Sequence, residues 1–494
     1  MKVRLLLPVL FYSFSLWAQP RVVADIYPGG WSSRPSKLTV YKDKLCFFAI
    51  DPSHGVELWE TDGVQTTLVK DIYTGGGNLK APIIDNKPMA VMNGKLYFPP
   101  EGTYIVLYSY DGQDVNFEHK VTNRVQFPGI ADMVVLDDKL YFNTNTGNSG
   151  GNQLWVYDPF SDQATQISFE YTFEGAQSLT AFKGRLYFTA GSSSAKGNEL
   201  YVYDPGTKTV SLAADIYPGV YDSYPMNLTT DGNALFFTAT GPDYGRELYS
   251  YNGHSVQRLT DLNPGWNPGL HRDEKGLPTI GIIGDVIYFA GSVTGTFQLY
   301  KYELLTGNTS LVATINNSGH SMPAGFIYYA NKVFFVADDG VHGRELWVLN
   351  HDNTVSMVAD IISPPTTNEQ PDNLTVYNGK LYFTAMGDLG DELYEYADPE
   401  AIINDEVKNN ITGAYPNPVA TTLHCNVNIN SGVSLSVVLY DISGRVVYKS
   451  GMKEYGPGNH TISIPVATLP SAMYYYNITK DHGEVLGKGK VVKM

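Results

Sequence analysis

Between residues 36 and 396 the hydrophobic pattern repeats one phrase. A short stretch such as SKLTVYK or DNLTVYN alternates apolar and polar positions, the period of a half-covered strand. A turn follows, then a run such as KLYF, apolar on consecutive positions, as in a strand covered on both faces. A Gly-rich loop leads to ELW or ELY, and a second turn leads to a fourth stretch. Each phrase therefore predicts four strands, A to D. Asn93-Gly94 and Asn378-Gly379 suit the A–B hairpin, because both residue types tolerate positive φ. Asp62-Gly63 and Asn252-Gly253 suit the turn before strand D.

The B-to-C cassette occurs eight times. Copies include KLCFFAIDPSHGVELWETDG, RLYFTAGSSSAKGNELYVYDP and KVFFVADDGVHGRELWVLNHD. Its second residues are Leu45, Leu96, Leu140, Leu186, Leu235, Ile287, Val333 and Leu381, spaced by 51, 44, 46, 49, 52, 46 and 48. Several strands repeated at that period predict a β-propeller, with eight blades as the count and seven as the alternative. An open solenoid is the competing architecture. Strand D runs into a DIYPG-like element: Asp25 to Gly29, Asp71 to Gly75, Asp215 to Gly219 and, varied, Asp261 to Gly265. The first of these precedes any A–B–C unit, and the last cassette, ending at Tyr396, has no strand D after it. A strand over about 21–26 is therefore expected to complete the last blade and remove a free edge.

The segment GVELWETDG (55–63) resembles the ELWxTDGT repeats of exported bacterial propeller proteins, and GRELWVLNHD (343–352) is a partial copy. The resemblance covers roughly 20–398 and implies a secreted propeller. It brings no catalytic residues with it, and the other copies depart from the full motif.

The chain's two ends read differently. Residues 1–18 carry Lys2, Arg4, a short apolar run and Ala18, the pattern of a signal peptide too short to span a membrane. No later apolar run is long enough for a spanning helix, so a soluble or otherwise surface-attached exported protein is expected. Residues 399–410 read as a polar linker between the propeller, 19–398, and a tail, 411–494. The tail predicts about seven short strands and an immunoglobulin-like β-sandwich. Its landmarks are AYPNP (414–418), LYDISGRVVY (439–448), GPGNHTISI (456–464), LPSAMYYYNIT (469–479) and GKGKVVKM (487–494). In that order they resemble the type A C-terminal sorting domain of type IX secretion, with Ala472 where the family usually has Gly. The resemblance implies the type IX machinery as partner, and delivery to the outside or outer surface of a Gram-negative cell, there linked to surface polysaccharide or released.

Composition sharpens this picture. The 494 residues include 48 Gly and 36 Tyr but only 17% charged residues, which disfavours coiled coil and disorder and fits an all-β, turn-rich chain. The formal charge is −16, and the tail and leader are basic, so the body is more acidic still. Such a body repels phosphate backbones, and no nucleic-acid partner is expected. Cys46 and Cys425 fall in different domains and read as buried small hydrophobes.

Candidate chemistry is sparse. The ten His show no metal spacing and no phosphate loop is present, so no cofactor is expected, with weak Ca²⁺ attraction the one allowance. His54 and His342 share one cassette position and read as loop residues. GNSGG (147–151) lacks the His and Asp context of a serine nucleophile. Glu57, Glu199, Glu247, Glu345 and Glu392 recur at the start of strand C, with Gln153 and Gln298 in two other copies. Catalysis needs one or two differentiated carboxylates, so a repeated one is expected to accept loop amides. The D–A loops vary most, and they hold Trp31, Tyr73, Tyr221, Tyr224, Trp266 and His271 as candidate ligand-binding residues. The expectation is a non-enzymatic surface module binding glycan or protein. The alternatives are a polysaccharide hydrolase or lyase, and a structural surface component.

Overall fold

The computed structural model describes residues 19–72, 89–99, 106–121, 130–145, 152–167, 176–192, 196–272, 277–362, 370–399, 410–415, 418–429, 433–441, 445–455, 458–480 and 485–493. The leader at 1–18, the GNSGG segment and nearly all of the linker lie outside them. The chain divides into two units, Met1–Asp398 and Pro399–Met494, and the regular elements described in both are β-strands.

Among the described residues of the first unit the strands form eight four-stranded antiparallel sheets. In chain order, sheets 1 to 7 span 36–70, 90–120, 130–167, 177–214, 226–258, 280–313 and 324–359, each from four consecutive strands. Sheet 8 is built from Asp372–Tyr377, Lys380–Gly387 and Gly390–Tyr396, and Arg21–Ala24 takes its fourth place, pairing antiparallel with Gly390–Tyr396. The N-terminal strand thus completes the last repeat. Glu395 ties it there, because its carboxylate takes Arg21 and, at 2.9 Å, Lys380 Nζ.

The continuous apolar runs are buried because sheets stack on both of their faces. Leu96, Tyr97 and Phe98 are all buried, as are Leu186, Tyr187 and Phe188. Phe48 of sheet 1 meets Phe98 of sheet 2 edge-on at 5.5 Å, and Phe334 of sheet 7 meets Tyr396 of sheet 8 at 5.8 Å. Sheet 8 packs in turn on sheet 1, where Tyr382 and Leu393 cluster with Leu45 and Phe47. Burying each such ring contributes about 1.5–3 kcal/mol. Hydroxyls cross the same seams: Tyr329 Oη donates to Gly379 O at 2.9 Å, and Tyr377 Oη to Asp43 O.

The A–B hairpins turn as their residues require. Asn93 and Gly94 have φ of 51° and 74°, and Asn378 and Gly379 have 46° and 71°. The C–D turns close differently. Asp62 Oδ1 accepts the amides of Val64 and Gln65, both at 2.8 Å, so only Gly63 of that pair enters the left-handed region.

The described residues of the second unit form two sheets. Asn410–Tyr415, Thr422–Ile429 and Gly458–Pro465 form one, and five strands around Val433–Tyr440 form the other. They share a core that includes Leu423, Cys425, Leu435, Val437, Ile464 and Ile478. The strand Lys453–Tyr455 is three residues long, too short to show a period in the sequence. Cys46 and Cys425 are free and buried, and burial pushes each thiol up to about 12.

Candidate site: aromatic loops pinned to the third strands

Strand order decides which loops share a side. In an antiparallel sheet of four consecutive strands, the loops joining strand 2 to 3 and those leaving strand 4 lie on one side, opposite both hairpins. The loops 25–35, 215–225 and 259–279 all run from a fourth strand to the first strand of the next sheet. They therefore occupy equivalent places.

The first two of these loops begin alike. Ile26 and Ile216 are buried, while Tyr27 and Tyr217 are half-buried. Gly29, Gly219 and, in the third loop, Gly265 then turn the backbone at φ of 98°, 99° and 94°, which an L side chain rarely adopts. The residues that follow are thrown outward. Trp31 and Trp266 are each 66% exposed, and Tyr221 is 58% exposed.

In five of the sheets a Gly-x-Glu at the start of the third strand holds the loop from beneath. Glu199 accepts the amides of Ile216 at 2.8 Å and Tyr217 at 3.1 Å, and the Ser223 hydroxyl at 2.7 Å. Glu392 takes the amide and hydroxyl of Ser33, the former at 3.1 Å. Glu247 takes Thr260 Oγ1 at 2.6 Å and the Leu262 amide at 3.3 Å. Glu57 accepts from Ile72, and Glu345 from Ile362. Gln298 does the same work with an amide, accepting from Ile315 at 2.9 Å and donating to Asn316 O and Gly319 O. Gln153 instead accepts from Gln166. The glycine two residues before the carboxylate leaves room for the loop backbone. A Cβ on Gly197 would lie 2.7 Å from Asp222 N and nearer still to the Tyr221 carbonyl, and one on Gly390 would lie 2.6 Å from Trp31 O.

Burial pushes Glu199, Glu345 and Glu392 up to about 7, against the hydrogen bonds that favour their charged forms. Glu247 is raised for the same reason. A carboxyl near neutrality often marks general acid/base chemistry. Here each carboxyl accepts from a loop donor and the arrangement recurs, so they are structural ties. His54 and His342 also close loops: each Nδ1 lies 2.7 Å from the carboxylate of Asp51 or Asp339, which holds the imidazole protonated to higher pH. Among the described residues, no group of three or more His, Cys, Asp or Glu is placed to hold a metal ion.

The structure brings part of the candidate set together. Tyr221 stacks on Tyr217 at 4.9 Å and 25°, and Tyr217, on the loop from sheet 4 to sheet 5, stands 6.4 Å from Trp266, on the loop from sheet 5 to sheet 6. Val220, 66% exposed, extends the patch. Trp31 lies at another junction, beside Tyr27 at 6.1 Å. Tyr224 and His271 are half-buried and do not join that group: Tyr224 lies under the Arg272 guanidinium, and His271 packs edge-on against Phe297 at 4.9 Å. Tyr73 lies outside the described residues. Tyr217, absent from the sequence-level candidates, is the ring that joins the other two. Its signal was present, since DIYPG repeats the tyrosine of Tyr27.

Comparison with known proteins bears mainly on the tail. Residues 413–493 match the family described as secretion system C-terminal sorting domain. The tail therefore carries a type IX sorting signal, which directs export to the cell surface or beyond. No curated protein matches the chain. Among solved structures, it is similar to PorZ, described as an essential bacterial surface component of the type IX secretion system of Porphyromonas gingivalis. Identity there is 14%, over 92% of this chain and 64% of that one, with a TM-score of 0.39. A puromycin-hydrolysing peptidase of Mycobacterium tuberculosis is 13% identical over 73% of this chain and 59% of its own, with a TM-score of 0.45. An oligogalacturonate lyase in complex with manganese is 14% identical over 78% and 94%, with a TM-score of 0.42. The chain thus spans less than two thirds of the first two. At such identities neither the surface role of the one nor the chemistry of the others passes to this chain. No described helix is long and apolar enough to cross a membrane.

Proposed function

We propose that the chain is an exported, non-enzymatic binding module for carbohydrate polymers. The eight sheets, each packed on the next and the last on the first, are the blades of a closed eight-bladed β-propeller. The ELW-type repeats support that reading. The leader at 1–18 serves passage across the inner membrane, and the sorting domain serves passage across the outer one.

One observation carries the binding role: exposed Tyr221 and Trp266 flank half-buried Tyr217 on loops whose amides are tied to buried carboxyls. Large exposed apolar groups on a rigid support mark interaction surfaces. Flat rings of this kind stack on the apolar faces of sugar rings while costing little side-chain entropy. The acidic body sets the polarity of the ligand, since a polyanion is repelled by it.

The test is a pull-down of the purified full chain on insoluble cellulose, β-1,3-glucan, mannan and chitin, beside a Tyr221→Ala/Trp266→Ala double variant. Saturable binding by the parent to at least one matrix, reduced tenfold or more in the variant, is expected. Binding unchanged in the variant, or none by the parent, overturns the reading.

A further inference from the structure

The loop 25–35 repeats, at a different junction, the construction of the loop 215–225. Tyr27 and Tyr217 follow a buried isoleucine in a half-buried position, and Trp31 and Tyr221 follow four residues later, both exposed. Ring centroids are 6.1 Å apart in the first pair and 4.9 Å in the second. The supports correspond as well. Ser33 donates its amide and hydroxyl to Glu392, and Ser223 donates its hydroxyl to Glu199. Gly390 and Gly197 lie under the backbone carbonyls of Trp31 and Tyr221. Both loops leave the fourth strand of an antiparallel sheet, so both stand on one side of the sheet array.

We infer that Tyr27 and Trp31 form a second carbohydrate subsite, equivalent to that of Tyr217, Tyr221 and Trp266, and that the two engage one uncharged polysaccharide chain together. The inference rests on the binding role proposed above and adds to it a number of sites, a polymer preference and a charge class. Two subsites fixed to one rigid body make the second contact intramolecular, which raises avidity by roughly 10²–10⁴ without any new contact. A polymer long enough to span both gains this, and a short oligosaccharide does not. Exclusion of charged chains follows from the acidic body, whose repulsion a uronate polymer meets along its whole length.

The experiment is titration calorimetry of the full chain with hexasaccharides of whichever of the four matrices it binds, together with binding to the matrix itself and to polygalacturonate. The parent is expected to take two hexasaccharides. Trp31→Ala should take one with an unchanged dissociation constant, and should lose tenfold or more in apparent affinity for the matrix. Tyr221→Ala/Trp266→Ala should show the same halving. Polygalacturonate should bind at least tenfold more weakly than the matrix. A parent stoichiometry of one, or a Trp31→Ala variant equal to the parent on the matrix, overturns the second subsite while leaving the binding role standing. Polygalacturonate binding as tight as the neutral matrix overturns the charge class. No binding to any matrix overturns the role and the inference with it.

Discussion

Gly197→Ala tests the claim that the glycine before the buried carboxyl exists to seat the aromatic loop. The backbone at Gly197 is not in the left-handed region, so the substitution acts through space alone. Its Cβ would meet the Tyr221 carbonyl and stand 2.7 Å from Asp222 N, and the loop must retreat. Retreat stretches three hydrogen bonds: Ser223 N to Asn198 O at 3.0 Å, Tyr224 N to the same oxygen at 3.1 Å, and Asn198 N to Asp222 Oδ1 at 2.6 Å. At about 1 kcal/mol net for each, the loss is about 3 kcal/mol. With a urea dependence of about 3 kcal/mol/M, the unfolding midpoint of the sheet unit falls by about 1 M. Gly319, in the same unit and with no atom nearer than 3.6 Å to an added Cβ, is the control, and Gly319→Ala should leave the midpoint unchanged. Carbohydrate binding at Tyr221 should weaken alongside, at urea concentrations where the variant is still folded. A Gly197→Ala midpoint within about 0.2 M of the parent would refute the seating argument.

The buried carboxyls make stability pH-dependent. The folded-state values of Glu199, Glu345 and Glu392, about 7, lie above the ordinary 4.5, so their stabilising effect is complete below about 4.5 and is lost as pH rises through 7. Urea midpoints at pH 5, 6, 7 and 8 should therefore fall steadily, and less steeply in Glu199→Gln; a flat or rising profile contradicts the assignment. Raised His54 and His342 act in the same direction. Ser223→Ala removes the hydroxyl bonded to Glu199 and should cost about 1 kcal/mol by denaturation, with no change in fold by circular dichroism. Deleting residues 19–24 bares the edge of Gly390–Tyr396, and light scattering should show aggregation that the parent does not. Removing 413–493 should leave the protein inside the cell envelope, as fractionation of the producing cells will show.

The repeat was legible because each strand type has its own pattern. Strands covered on both faces read as KLYF, hairpins as Asn-Gly, and the missing last strand as an unpaired RVVADIYPG at the start. The role of the recurring Glu was legible for a different reason, since recurrence argues against a single catalytic carboxyl. What the sequence hid is three-dimensional. The bulges that place Lys37, Asn227 and Asn373 at φ of 55–59° on the first strands leave no periodic trace. The sequence does not say that Tyr224 and His271 pack on Arg272 and Phe297, because those neighbours are set by packing between loops. Nor does it say that Tyr217 bridges Tyr221 to Trp266, which lie on loops separated by a whole sheet of chain.

The most direct measurement is hydrogen exchange of the full chain with and without a saturating neutral polysaccharide. The account predicts protection at 25–35, 215–225 and 259–272, and none in the hairpins on the opposite side, such as 93–94 and 378–379. Protection confined to those hairpins or to the sorting domain, with the aromatic loops unchanged, would contradict it.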